Sequence, residues 1–150
     1  MRINCIPPQL LTDQHLGAEY LEIQAMQLNY YRKSVLYKEH FDWSRQSKDY
    51  TLNSGHAIFF YDKMLAVQKR FRSVVEECKR RGRATNLEDL NYSEVLPHHM
   101  NDWVPTKKDM LVNLERILQR ISQKPDWYKY HGKPFNADVL YGEFKKSLIE

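Results

Sequence analysis

The sequence predicts an all-α fold in a single domain, and three observations carry that prediction. Apolar residues recur at helical spacing in three separate stretches, those stretches are bracketed by helix start and stop residues, and no alternating run with hairpin punctuation competes with them. At 150 residues the chain has the usual size of one domain with one hydrophobic core.

The first helix opens near Thr12 or Asp13, either of which can cap it, and runs at least into the low twenties. Its end is poorly marked, and it can extend toward Tyr30, Tyr31, Arg32 and Lys33. Helical spacing puts His15, Glu19 and Glu22 on one face and Leu16, Tyr20 and Ile23 on another. A polar stripe of this kind ordinarily faces water.

A second helix is expected from about Ser54 to Arg81. Phe60, Met64, Val67, Phe71, Val74, Val75 and Cys78 fall at core spacing, and Gly82 supplies a stop. The third starts after Pro105, where Thr106 and Asp109 form a pair like a capping box, with Asp in place of the usual Glu or Gln. It continues through Met110, Leu111, Leu114, Ile117, Leu118 and Ile121 until Pro125 ends it. The connectors between these helices, about 38–53 and 84–104, are long for a compact helical domain, a length that points to functional or disordered loops.

Composition narrows the function classes. The 23 Lys and Arg against 19 Asp and Glu give a net charge of only +4, so a polyanion-binding surface has to come from clustering. Cys5 and Cys78 have no zinc spacing, and nothing at the start reads as a secretory signal; a reducing, cytoplasmic setting is expected. No apolar run approaches the roughly 20 residues of a membrane span, so no membrane partner is expected. His98 and His99 lack a third spaced ligand, and no metal site is expected. Phosphate-loop, nucleophile-elbow and HExxH patterns are absent.

Clusters do occur. Arg116, Arg120 and Lys124 recur every four residues along one face of the third helix, where they could track phosphates or simply form a solvated face beside Glu115. The following Trp127-Tyr128-Lys129-Tyr130-His131-Gly132-Lys133 interleaves flat rings with cations, a composition suited to stacking on bases or to closing a core. A second basic group, Lys69, Arg70, Arg72, Lys79, Arg80 and Arg81, reads as structural, its last members complementing a helix C-terminus. Phe59, Phe60 and Tyr61 read as core, and His56 is given no acid or base role. The start of the chain, Met1-Arg2-Ile3-Asn4, lies close to the polar stripe, so a free α-amine could sit beside carboxylates. With an unperturbed pKa of about 7.7–8, such an amine is partly neutral near neutral pH and suited to imine chemistry on a sugar.

Three blocks give these features a family. DQHLGAEYLE at 13–22, SGHAIFFYDK at 54–63 and WYKYHGK at 127–133 together resemble the endonuclease V family of pyrimidine-dimer DNA glycosylases, in that family's order and at nearly its spacing. The resemblance implies helices packed side by side with the N-terminal segment threaded between them. It also implies a glycosylase and abasic-site lyase that acts, without cofactor or metal, on double-stranded DNA carrying a lesion. By this resemblance Met1 supplies the nucleophilic amine and Glu22 the carboxylate, with Glu19 as the fallback. DNA contacts fall to Arg2, Gln14, His15, Arg116, Arg120, Lys124, Trp127, Tyr128, Lys129 and Tyr130, while His131 stands where the family often has tyrosine.

The chain departs from the family in two places. Met1 occupies the position at which the family has a small residue exposed by removal of the initiator, and Arg2 should block that removal here. Leu21, and Ala25 within the cation-free run 23–26, replace the family's usual arginines. Lesion specificity is therefore the open point: a glycosylase for another damaged base and a non-catalytic binder of distorted DNA are the alternatives. The resemblance sets a domain of 1–137 and leaves 138–150 as an extension without a functional reading; a monomer is the default.

Overall fold

The computed structural model describes residues 3–36 and 42–150, and these are helical, with no strand among them. Among the described residues five α-helices form the body: α1 (Asp13–Tyr30), α2 (His56–Phe60), α3 (Met64–Arg80), α4 (Lys107–Gln123) and α5 (Ala137–Ile149). Helix α1 packs on α3, α2 on α3, and α4 on α5. Residues 3–6 run between α1, α3 and α4 as the resemblance implies, bonded to side chains from all three. None of the described helices is long and apolar enough to cross a membrane.

The start signals work locally as their chemistry requires. The Thr12 hydroxyl accepts from the His15 N–H at 3.1 Å and caps α1. Thr106 and Asp109 complete a reciprocal capping box on α4, at 3.1 and 2.9 Å. Past Tyr30 the chain makes a π-helical turn, Tyr31–Leu36, which is the extension the sequence left open. At the other end of α3, Gly82 takes φ +74°, the left-handed turn that stops the helix, and Arg83 N–H returns to the Cys78 carbonyl at 2.9 Å.

The single helix expected over 54–81 is broken into α2 and α3 by a turn at 61–63. Phe59, Phe60 and Tyr61 are all buried, yet three consecutive residues of a continuous helix sweep about 200° and cannot share one inner face. The turn resolves that conflict, and polar side chains take up its carbonyls. Lys63 Nζ donates to Phe59 O at 2.9 Å, Gln46 Nε2 to Ile58 O at 3.1 Å, and Asn101 Nδ2 to Asp62 O at 2.8 Å.

The last residues form a fourth long helix that the sequence did not announce. Asn136 caps α5 by accepting from Val139 N–H at 3.1 Å, and Tyr141 and Leu148 enter the core. Val139 and Ile149 remain exposed on the same helix, so its apolar residues do not form one stripe.

Candidate active site

Helix α1 carries its polar stripe inward. Glu19 is 0 % exposed and Glu22 8 % exposed, whereas the outer face bears Leu21, Ala25 and Leu28. A carboxylate in the interior needs charge and hydrogen-bond partners, and Glu19 has both. Arg70 Nε donates to Glu19 Oε2 at 2.6 Å and its Nη2 to Oε1 at 2.9 Å, while Asn4 Nδ2 reaches Oε1 at 2.9 Å. The third Arg70 nitrogen donates to Ile6 O at 2.6 Å. Arg70 is thus the core counter-ion of Glu19 rather than a surface cation.

The same network holds the N-terminal segment. Asn113 Oδ1 accepts from the backbone N–H of Cys5 at 2.7 Å and of Ile6 at 3.1 Å, and its Nδ2 donates to Asn4 Oδ1 at 2.7 Å. Sequence reasoning passed over Asn113. It was detectable as a polar residue lying in register with the apolar stripe of Met110, Leu114, Ile117 and Ile121. Ile3 is held separately: His56 Nε2 accepts its N–H at 2.7 Å and the Tyr50 hydroxyl donates to its carbonyl at 2.8 Å. Burial pushes the Cys5 thiol up to about 12, against an opposing pull from Arg70, so this cysteine is an inert packing group.

Above this network lies an open cavity of about 380 Å³. Asn4, Glu19 and Asn113 form its floor, and Arg116 and Arg120 of α4 stand on one side. Gln14, His15 and Ala18 of α1, with Trp127 and Tyr128 from the loop after α4, complete the lining. His15 stacks on Tyr128 with ring centroids 4.7 Å apart and planes 7° apart, and its Nδ1 is 2.7 Å from the Thr12 hydroxyl. Burial, aided by the Arg120 charge, pushes the His15 imidazole down to about 4, so it is neutral near pH 7. Glu22 lies one turn beyond Ala18 and Glu19, continuing the same helix face inward.

The aromatic loop is docked by residues at the start of α1. Gln14 Nε2 donates to Trp127 O at 3.0 Å and its Oε1 accepts from Lys129 N–H at 2.9 Å; Asp13 N–H donates to Lys129 O at 2.8 Å. The Asp13 carboxylate accepts from His131 and Gly132 N–H and from Arg81 Nη1. Burial alone would raise its pKa, but the Gly132 N–H, then Arg81 and the His131 N–H, hold the carboxyl below its usual range. His131 and Gly132 both take positive φ, 51° and 76°, in a turn closed by Tyr130 and Lys133. That is the type I′ geometry, which glycine adopts freely.

The structure therefore brings Gln14, His15, Arg116, Arg120, Trp127 and Tyr128 to one cavity. Lys124 lies at its margin with Nζ 5.7 Å from the Trp127 ring centroid. Lys129 and Tyr130 do not line it. The Lys129 ammonium donates to Asp126 O at 2.7 Å, and the Tyr130 hydroxyl donates to Gln9 O at 2.6 Å with the Arg81 guanidinium over its ring. Met1 and Arg2 lie outside the described residues. Among the described residues no group of three or more His, Cys, Asp or Glu side chains could hold a metal ion. His99 is instead a core residue, its Nδ1 2.8 Å from the Tyr30 hydroxyl.

The arrangement is a cationic, aromatic-walled cavity with the Arg70-paired Glu19 carboxylate and a tightly anchored N-terminal segment in its floor. Such a site can take a polyanion with a flat, partly apolar group. Comparison with known families gives the same answer: the sequence profile of the family described as pyrimidine dimer DNA glycosylase matches residues 1–91, more than half of the 150-residue chain. The chain belongs to the pyrimidine dimer DNA glycosylase family, the family of DNA repair enzymes whose substrate is DNA bearing pyrimidine dimers.

Proposed function

We propose that the protein removes the damaged base and then cuts the strand through an imine on its own N-terminus, with Met1 and Glu22 as the reacting pair. The observation that carries this reading is the anchoring of residues 3–6. Asn4 lies against Glu19, one turn from Glu22, and the Ile3 N–H is fixed, so the α-amine is at most about 7 Å of chain from an immobilised peptide.

In the proposed reaction the neutral α-amine attacks C1′ of the damaged nucleotide. The glycosidic bond breaks, its electron pair leaves with the base, and the sugar opens to a protonated Schiff base. Positive charge develops at C1′ as the bond lengthens, and the buried Glu22 carboxylate stabilises it. Glu22 then accepts the C2′ proton; the electrons released expel the 3′ phosphate, and the strand is cut. Water finally hydrolyses the imine and restores the amine. Glu19 is unsuited to this work, because Arg70 and Asn4 already occupy both of its oxygens.

Arg116 and Arg120 are assigned to phosphates, and Trp127 and the His15–Tyr128 stack to flat nucleobase surface. Extracting a base costs a few kcal/mol and is cheapest at a lesion. Leu21, 63 % exposed beside Glu22, offers no charge to phosphate, so α1 contributes less of the salt-dependent affinity than α4.

Borohydride trapping on duplexes carrying a thymine dimer or an abasic site tests this reading, with mass mapping of the cross-linked peptide. Adduct at Met1 on both duplexes is expected, and Glu22→Gln should abolish strand cleavage. Adduct on the abasic duplex alone would keep the imine and discard dimer specificity. Absence of adduct on both, with duplex binding intact, would overturn the mechanism.

A further inference from the structure

His56 looks at first like a buried histidine satisfied by the core. Its bonds have a more specific consequence. A backbone N–H can only donate, so Nε2, 2.7 Å from the Ile3 nitrogen, must be the unprotonated ring atom. The proton is then on Nδ1, which donates to the Thr51 carbonyl at 2.7 Å. That second bond fixes the tautomer and the ring plane, and Tyr50 and Phe60 pack edge-on against it, at 5.7 and 5.4 Å between centroids. Tyr50 also donates its hydroxyl to the Ile3 carbonyl. Both polar groups of one peptide residue are thus held by side chains of the segment 50–56.

The neighbouring residues are held by something else. Asn4, Cys5 and Ile6 are bonded to Glu19, Asn113 and Arg70, on α1, α4 and α3. Loss of the His56 and Tyr50 bonds would leave those contacts in place and release only the chain before Asn4. The two anchors therefore divide the labour: the helices fix the depth of the segment, and 50–56 fixes the direction in which its last residues leave it.

We propose that His56, assisted by Tyr50, is a positioning residue for the reaction: by holding the Ile3 peptide it sets where the N-terminal amine meets the sugar. This rests on the reading of the Met1 amine as the nucleophile. The role is indirect: His56 acts through the Ile3 peptide that it holds. Its leverage comes from geometry. The amine lies two residues beyond the clamp, and a misplacement of about 1 Å at a reacting centre can cost on the order of 100-fold in rate.

The test uses the full chain with His56→Leu, His56→Gln and Tyr50→Phe. Leucine removes the acceptor, glutamine returns an oxygen near the position of Nε2, and phenylalanine deletes one hydroxyl. Single-turnover imine trapping on an abasic duplex reads amine placement, and duplex affinity is measured alongside. His56→Leu should slow trapping by about 30-fold or more while Kd moves by less than about twofold, and His56→Gln should recover most of the rate. Tyr50→Phe should slow trapping by about tenfold at unchanged Kd, and it carries the test if His56→Leu fails to fold. Trapping within about threefold of wild type in every folded variant would overturn the proposal, as would a loss in which glutamine is no better than leucine. Wild-type protein that gives no adduct at Met1 would overturn the underlying mechanism itself. Wild-type trapping with indifferent variants would remove only the positioning role.

Discussion

Replacing Arg70 by methionine should be the most destabilising single change at this site. The side chains are similar in length, so little cavity is made, but Glu19 would lose two of its three hydrogen bonds and its counter-ion while staying 0 % exposed. Stranding one member of a buried pair typically costs about 3–5 kcal/mol. The charge-assisted bond to Ile6 O goes with it, so about 4 kcal/mol is a conservative figure. For a chain of this size that corresponds to a fall in Tm of roughly 8–16 °C. Equilibrium urea unfolding and calorimetry of Arg70→Met, Glu19→Gln and the double variant supply the assay. Because glutamine is neutral, the double variant should regain about half of the loss in Arg70→Met, about 2 kcal/mol. If Arg70→Met unfolds within about 1 kcal/mol of wild type, or Glu19→Gln gives no relief, the pair does not carry the junction of α1, α3 and the N-terminal segment.

Acid should weaken the protein through His15. Its folded pKa of about 4 lies below the ordinary value near 6.5, so between those pH values the unfolded chain binds the extra proton and stability falls as pH drops, by up to about 3 kcal/mol. His99, also held low by burial and then by His98, titrates in the same direction; His15→Phe should flatten only part of the slope in urea midpoints between pH 7 and 4. Gly132→Ala places a Cβ at φ +76° and should cost about 1–2 kcal/mol in urea unfolding, even though nothing lies within 4 Å of that Cβ; an unchanged midpoint would refute the I′ turn. Trp127→Ala, at a side chain 57 % exposed, should leave Tm nearly unchanged yet weaken duplex binding by about 1–3 kcal/mol in fluorescence anisotropy. Arg116→Gln and Arg120→Gln should each lower the slope of log K against log salt by about 1, and a slope equal to wild type would move the phosphates elsewhere.

How far the sequence could be read depends on how local each interaction is. The caps at Thr12 and Thr106, the stripe of α3 and the stop at Gly82 act within one turn, and their positions are legible in a few residues. The break at 61–63 was not, because it follows from the burial of Phe59, Phe60 and Tyr61 together, a demand made by the tertiary core. Helix α5 escaped notice because Val139 and Ile149 stay exposed, so its apolar residues show no clean period. The stripe of α1 was legible as a pattern but not as an environment. Glu19 faces inward only because Arg70 waits 51 positions away, and no local signal says so. Helical spacing singled out Arg116 and Arg120, composition Trp127 and Tyr128, and the family resemblance added Gln14 and His15. The roles of Asn113, Arg70 and His56 became visible only when side chains far apart in sequence met.

The bonds from Asn113 to Cys5 and Ile6 span 108 and 107 residues. At about 5–20 residues per second of synthesis, the N-terminal segment waits roughly 5–20 s for its partner after it is made. During that interval residues 3–6 have no groove to lie in, since α3 and then α4 must first be made. Assembly of the segment is therefore the closing event of folding, and contacts of such separation form slowly. A half-built chain lacks Asn113, the side chain that holds the backbone of Cys5 and Ile6. On the proposed mechanism, a chain whose interior is unfinished would lack the fixed N-terminal segment that the reaction needs.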